Sequence, residues 1–200
     1  MCWRPGYRRM EDKPLIVVMG VAGSGKTTIA SGLAERLRVP FVEGDSLHPA
    51  ANVKKMASGI PLTDEDRWPW LEAIGQRMEV ERATGHGVVV ACSALKRSYR
   101  DCLRKYVHGK MHFVLLDGSR RLISDRMKHR KGHFMPPALL DSQFATLEPP
   151  TQDEHAVILD ISHRPAELVE EAARSITRSE ERRVGKECQS SCRSRWSPYH

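Results

Sequence analysis

Apolar residues fall along this chain in two alternating rhythms. Short unbroken runs occupy 15–19 (LIVVM), 88–92 (VVVAC), 113–116 (FVLL) and 156–159 (AVIL). Runs of this length without polar alternation read as strands buried in a parallel sheet. A shorter run, 41–43 (FVE), follows Pro40 and reads as one more strand. Between the runs the apolar positions thin out, and helices are expected at 26–38, 50–58, 97–106, 119–130, 138–146 and 165–176. A further helix opens at Thr63, which can cap it while Asp64, Glu65 and Asp66 fill the first turn, where the helix dipole favours acids. Its stripe is Trp70, Leu71, Ile74 and Met78, at helical spacing. Pro69 is tolerable near the start of that helix and less so deeper. Trp68 and Trp70 are both expected to face the core. Strands alternating with helices predict an α/β domain. Its core is a five-stranded parallel sheet with right-handed crossovers, flanked by helices.

The two ends do not share the pattern. Residues 1–13 are expected to be a disordered leader, 14–177 the domain, and 178–200, which lack apolar periodicity, a disordered and appended tail. The net charge of +7 is concentrated there. Residues 1–13 carry four basic and two acidic side chains, and 178–200 carry six and three, leaving the body at +2. A nearly neutral body argues against a nucleic-acid partner and suits a site that handles small anionic phosphates. No apolar run approaches the roughly 20 residues of a membrane helix, and the leader has no signal-peptide core, so a cytoplasmic protein is expected. The five cysteines, Cys2, Cys92, Cys102, Cys188 and Cys192, offer no second pair to complete a zinc site and are expected as free thiols.

The chemistry starts at 20–28, GVAGSGKTT, which matches the phosphate-cradling pattern G-x-x-x-x-G-K-[ST]. Gly20, Gly23 and Gly25 permit torsions that a Cβ would block, so that backbone N–H groups along Val21, Ala22 and Ser24 can converge on phosphate oxygens. Lys26 supplies a mobile charge for the β and γ phosphates, the Thr27 hydroxyl can ligate Mg²⁺, and Thr28 continues into the helix. A strand before and a helix after supply the context the motif requires. GTPase signatures are missing, so a compact kinase for a small acceptor is the natural reading. Such an enzyme needs a group to orient or deprotonate the acceptor hydroxyl and positive charge around the transferring phosphoryl. Asp45, just past the second strand on the ligand edge, fits the first need, or else caps the turn before His48 and Pro49. Glu43 could hold Mg²⁺ through water, or be a solvated strand end. Arg126 and Arg130, four apart on one helix face, lead into a glycine- and proline-containing segment that reads as a mobile lid at 126–137. The alternative is a solvated basic helix end.

The blocks MGVAGSGKTT (19–28), EGDSLHP (43–49), NVKKMASGIPLTDEDRWPWL (52–71), VVACSALKRSYRDCLR (89–104) and RMKHRKGHFMPPALLDSQFATLEPP (126–150) stand in this order. Together they resemble the gluconate kinases, P-loop small-molecule kinases related to shikimate kinase. The resemblance spans roughly residues 15–176. It implies the P-loop kinase fold and the transfer of the ATP γ-phosphoryl to the 6-hydroxyl of D-gluconate. The product, 6-phospho-D-gluconate, would feed the pentose phosphate pathway. It further implies Asp45 as the group activating that hydroxyl. His48, Asn52, Arg67 and Lys96 would hold the gluconate, Arg130 and His133 would come from the lid, and Arg126 would stack on adenine beside 162–165. ATP and Mg²⁺ are the implied cofactors, and a homodimer is compatible with the likeness. A shikimate-like or nucleotide kinase, or a non-catalytic ATP-binding module, stands as the alternative.

Overall fold

The computed structural model describes residues 13–128 and 137–193. Arg130, His133 and most of the expected lid lie outside the described residues. Five parallel strands form one sheet in the order β2-β3-β1-β4-β5. They are β1 (Leu15–Met19), β2 (Phe41–Glu43), β3 (Val88–Ala91), β4 (Met111–Asp117) and β5 (Val157–Asp160). The central strand β1 pairs on one side with β3, Val17 opposite Val90, and on the other with β4, Val17 opposite Phe113.

Seven helices connect and cover the sheet among the described residues: α1 (Lys26–Leu37), α2 (Ala50–Ala57), α3 (Asp64–Ala83), α4 (Arg97–Tyr106), α5 (Arg120–Lys128), α6 (Pro137–Thr146) and α7 (Pro165–Arg193). Because successive strand side chains point to opposite faces, β1 feeds two cores. Ile16 and Val18 pack with Ile29 and Leu33 of α1 and Leu168 and Ala172 of α7. Leu15, Val17 and Met19 pack with Trp70 and Ile74 of α3 and Tyr99 and Leu103 of α4. The expected doubly buried strand is thus realised at β1, where all five residues are buried. It is not realised at β5, whose position at the sheet edge leaves Ile158 52% exposed.

The α3 stripe is as the spacing predicts, with Trp70, Leu71, Ile74 and Met78 buried. Thr63 and Asp66 form a reciprocal capping box: Asp66 N donates to Thr63 Oγ1 at 3.3 Å and Thr63 N to Asp66 Oδ2 at 3.0 Å. Pro69 lies in the second turn, deeper than the first-turn position where proline is free of conflict, and α3 continues through it. Trp68 departs from expectation. It is 36% exposed and meets the Tyr99 ring edge-on, because on this helix only one of two tryptophans two positions apart can face the sheet.

The C-terminal end differs from the sequence reading. Ile176 is the last described residue of α7 to enter the core. Yet the helix continues to Arg193, across most of the segment expected as a disordered tail. Residues 178–193 contain no proline, one glycine and many Glu, Arg and Lys residues. Once 165–176 is nucleated by packing, such a segment can propagate it.

Candidate functional site

The loops after β1, β2 and β3 open at the carboxyl edge of the sheet, where ligands bind in open α/β folds. The first of them is the P-loop. Gly25 is the residue preceding α1, lies in the left-handed region at φ 97°, and offers no side-chain cap. The first turn of α1 therefore presents the backbone amides of Thr27 and Thr28 to the loop without a side-chain cap. Gly23, at φ 79°, has no room for a side chain: a Cβ would stand 2.7 Å from Met127 Cγ. Ser24 is buried, and its Oγ has no hydrogen-bond partner among the described residues. Lys26 Nζ donates to the Val21 carbonyl at 3.1 Å. Uncapped amides, an orphaned hydroxyl and a lysine folded back over the loop fit a polyphosphate. Thr27 Oγ1 lies 2.7 Å from Glu43 Oε2. This pair of hard oxygen donors at the phosphate cradle fits Mg²⁺. Ala22, expected among the phosphate-binding residues, has its N–H engaged by Gln143 Oε1 of α6 at 2.7 Å.

The second loop begins at Gly44, whose Cβ, if added, would clash with the Ala91 carbonyl of β3. A 3-10 turn, Gly44–Leu47, follows and presents an exposed Asp45. Trp70 Nε1 donates to the Gly44 carbonyl at 2.7 Å and its ring stacks on His48, centroids 4.1 Å apart. The indole thus fixes both ends of the turn that carries Asp45. Burial lowers the His48 pKa; the Asp45 carboxylate opposes this and the Arg67 guanidinium adds to it. His48 is therefore a neutral imidazole at physiological pH.

Asp45, His48, Arg67 and Lys96 line one cleft of about 360 Å³ with Ala22 and Lys26 of the P-loop. The structure thus brings the expected acceptor groups together beside the phosphate cradle. Asn52 is the exception. It is 4% exposed, donates from Nδ2 to the Asp66 carbonyl at 2.7 Å, and stands 3.4 Å behind His48 Nδ1. Its place is to support His48 and the α3 start rather than to line the cleft. Arg126, on α5, donates to the Ile161 carbonyl at 2.5 Å. That puts it at the end of β5, on the flank next to 162–165 and apart from the acceptor groups.

Three cleft residues that hydrogen-bond to the site, Asp64, Tyr99 and Gln143, carry no site role in the sequence reading. Lys96 Nζ donates to both oxygens of Asp64, at 2.9 and 2.8 Å, and Asp64 also accepts from the Tyr99 hydroxyl. The Lys96 bond, and then that of Tyr99, holds the Asp64 carboxyl below its usual range, while burial and Asp64 push the Tyr99 phenol up. Asp64 looked like a dipole-complementing first-turn acid. Its signal was the spacing to Arg67, one turn on and on the same face. The third is Gln143, which no local pattern marks. Behind the cleft, the buried Arg100 makes a bidentate pair with Glu154, both contacts 2.7 Å. Its remaining nitrogen donates to the carbonyls of Ala94, Leu95 and Glu148. This fixes the loop that carries Lys96, in which Ala94 holds a strained φ of 38°.

A family model described as an AAA domain matches residues 15–150. The gluconokinase of Gluconobacter oxydans (strain 621H) is 50% identical over 167 residues, which cover 83% of this chain and 93% of that protein. The thermosensitive gluconokinase of Escherichia coli (strain K12) is 44% identical over 169 residues, covering 84% and 90%. The crystal structure of a gluconokinase from Sinorhizobium meliloti 1021 matches with a TM-score of 0.80 at 49% identity, covering 88% of this chain and 98% of that one. With half its residues shared across nearly a whole relative, and a P-loop opening on the cleft lined by Asp45, His48, Arg67 and Lys96, this chain belongs to the gluconokinase family of P-loop kinases.

Proposed function

We propose that this protein transfers the γ-phosphoryl group of ATP to the 6-hydroxyl of D-gluconate, giving 6-phospho-D-gluconate and ADP. The observation that carries the reading is the single cleft shared by Lys26 and the acceptor set Asp45, His48, Arg67 and Lys96. Gluconate is an anion dense in hydroxyls. Arg67 and Lys96 supply the cations, and neutral His48, Asp64 and Tyr99 supply donors and acceptors. Asp45 takes the proton of the attacking hydroxyl as its oxygen bonds to phosphorus and the bond to the ADP oxygen breaks. Lys26 neutralises charge on the β and γ phosphates. Thr27, with Glu43 behind it, would hold Mg²⁺, which neutralises phosphate charge when bound. Arg126 keeps the adenine flank, and Arg130 and His133 keep the lid roles implied by the family likeness. A cytoplasmic location, where ATP and sugar acids meet, and a homodimer complete the reading. Light scattering on the purified protein tests the dimer, and a monomer mass would remove it.

A coupled ADP-release assay with gluconate, shikimate and nucleoside monophosphates tests the activity. Turnover with gluconate is expected, and its absence would sink the reading. Asp45→Asn is expected to keep ATP binding by calorimetry while kcat falls about 10²–10⁴-fold. Lys26→Ala should weaken both.

A further inference from the structure

Gln143 reaches the P-loop from 121 positions away in sequence. The Ala22 backbone N–H can only donate, so the Gln143 atom 2.7 Å from it is the carboxamide oxygen. That fixes the orientation of the amide, whose NH₂ end is left to the cleft that Gln143 lines together with Ala22, Lys26 and Asp45. These are the groups between which the phosphoryl must pass. The support is firm at both ends of the bridge. Just past α6, Glu148 N donates to the Leu95 carbonyl at 2.9 Å, and Glu148 Oε2 accepts from Arg97 N at 2.6 Å. One short segment is thus tied to the donor loop through Gln143 and to the acceptor loop through Glu148.

We propose that Gln143 is a catalytic residue, its NH₂ group donating a hydrogen bond to the phosphoryl group in transfer while its carbonyl is held by the Ala22 amide. The inference rests on the kinase reading above. A carboxamide suits this position. It stabilises developing negative charge as a preorganised donor, and unlike a histidine or a lysine it neither titrates nor competes with Asp45 for the hydroxyl proton. No proton leaves Gln143 in the step.

Two variants separate this role from that of a mere clamp. Gln143→Ala removes both ends of the bridge. Gln143→Glu keeps an acceptor for the Ala22 amide but replaces the donor with a carboxylate facing the phosphates. Steady-state ADP release is measured for both, with thermal melts beside it. For Gln143→Ala, kcat is expected to fall about 10²–10³-fold, the loss typical of one transition-state donor. KM for gluconate should stay within about threefold, as for an interaction made only in the transition state. Gln143→Glu should fall at least as far although its melting temperature holds. A structural clamp predicts the reverse order, with Gln143→Glu near wild type. That order, or unchanged kcat in Gln143→Ala, overturns the proposal, and Gln143→Glu decides alone if the alanine variant fails to fold. A wild-type enzyme inert toward gluconate would count against the kinase reading. Brisk wild-type turnover matched by Gln143→Glu would count against Gln143 only.

Discussion

His48 shows how one side chain serves both the fold and the site. Its ring stacks on Trp70 and its charge state is set mainly by burial, which lowers the pKa from the ordinary 6.5. The unfolded chain therefore binds a proton at a pH where the folded chain does not. His48 contributes stability that is present above 6.5 and is lost as pH falls through the lower folded value. Melting temperatures from about pH 7.5 to 5.5 should drop more steeply for the wild type than for His48→Phe, which keeps a ring on Trp70 and cannot titrate. Parallel curves would show that His48 is not the group responsible. Cys92 makes the opposite point. It is fully buried and its thiol is pushed up to about 12, so it packs as an apolar residue and has no reactive thiolate. Within the cleft, the positions of the P-loop and of Asp45 were legible in the sequence because a motif and a strand end are local features. Asp64 is the first-turn acid the sequence predicts, but its bridge to Lys96 was not legible, because a first-turn acid serves a helix dipole and such a bridge equally well.

The 3-10 turn Gly44–Leu47 is the element on which the acceptor half depends. It is held from below by β3 and from the side by α3. Gly44 packs its α-carbon against the Ala91 carbonyl with Ile74 Cδ1 3.3 Å from where a Cβ would stand, so the constraint is one of space. Gly44→Ala is expected to cost about 1–3 kcal/mol as an overpacked site, read as a lower urea midpoint. It should also lower kcat, since relief of the clash displaces Asp45. An unchanged midpoint would mean that the sheet edge yields freely. At this scale the elements themselves were well announced, with starts such as the Thr63 capping box and breaks such as Pro40 written in adjacent residues. The extension of α7 was not. Helix propagation beyond a packed segment depends on nucleation by the core, which the local sequence of 178–193 does not record.

The molecule as a whole is one parallel sheet with an apolar core on each face, and its last described core residue is Ile176. We therefore propose that 178–200 lie outside the catalytic domain. Beyond Ile176 the described side chains of α7 make one long-range hydrogen bond, from Lys110 Nζ to Ser179 Oγ at 2.7 Å, and it is exposed. A chain ending at Thr177 should keep its kcat and melt within about 2–4 °C of the full chain, the shift that 1 kcal/mol produces in a domain of this size. A larger fall would make the helical extension part of the domain. By itself the sequence determined the α/β alternation, the strand runs, the phosphate cradle and the place of Asp45 at a strand end, because each depends on contiguous residues and their spacing. The tertiary structure alone decided which loops share a cleft. Lys96 meets an acid 32 positions away, and Ala22 meets a glutamine 121 positions away. The strand order β2-β3-β1-β4-β5 brings such groups to one edge. Side-chain proximity across that edge is a property of chain crossovers, and no local pattern of polar and apolar residues encodes it.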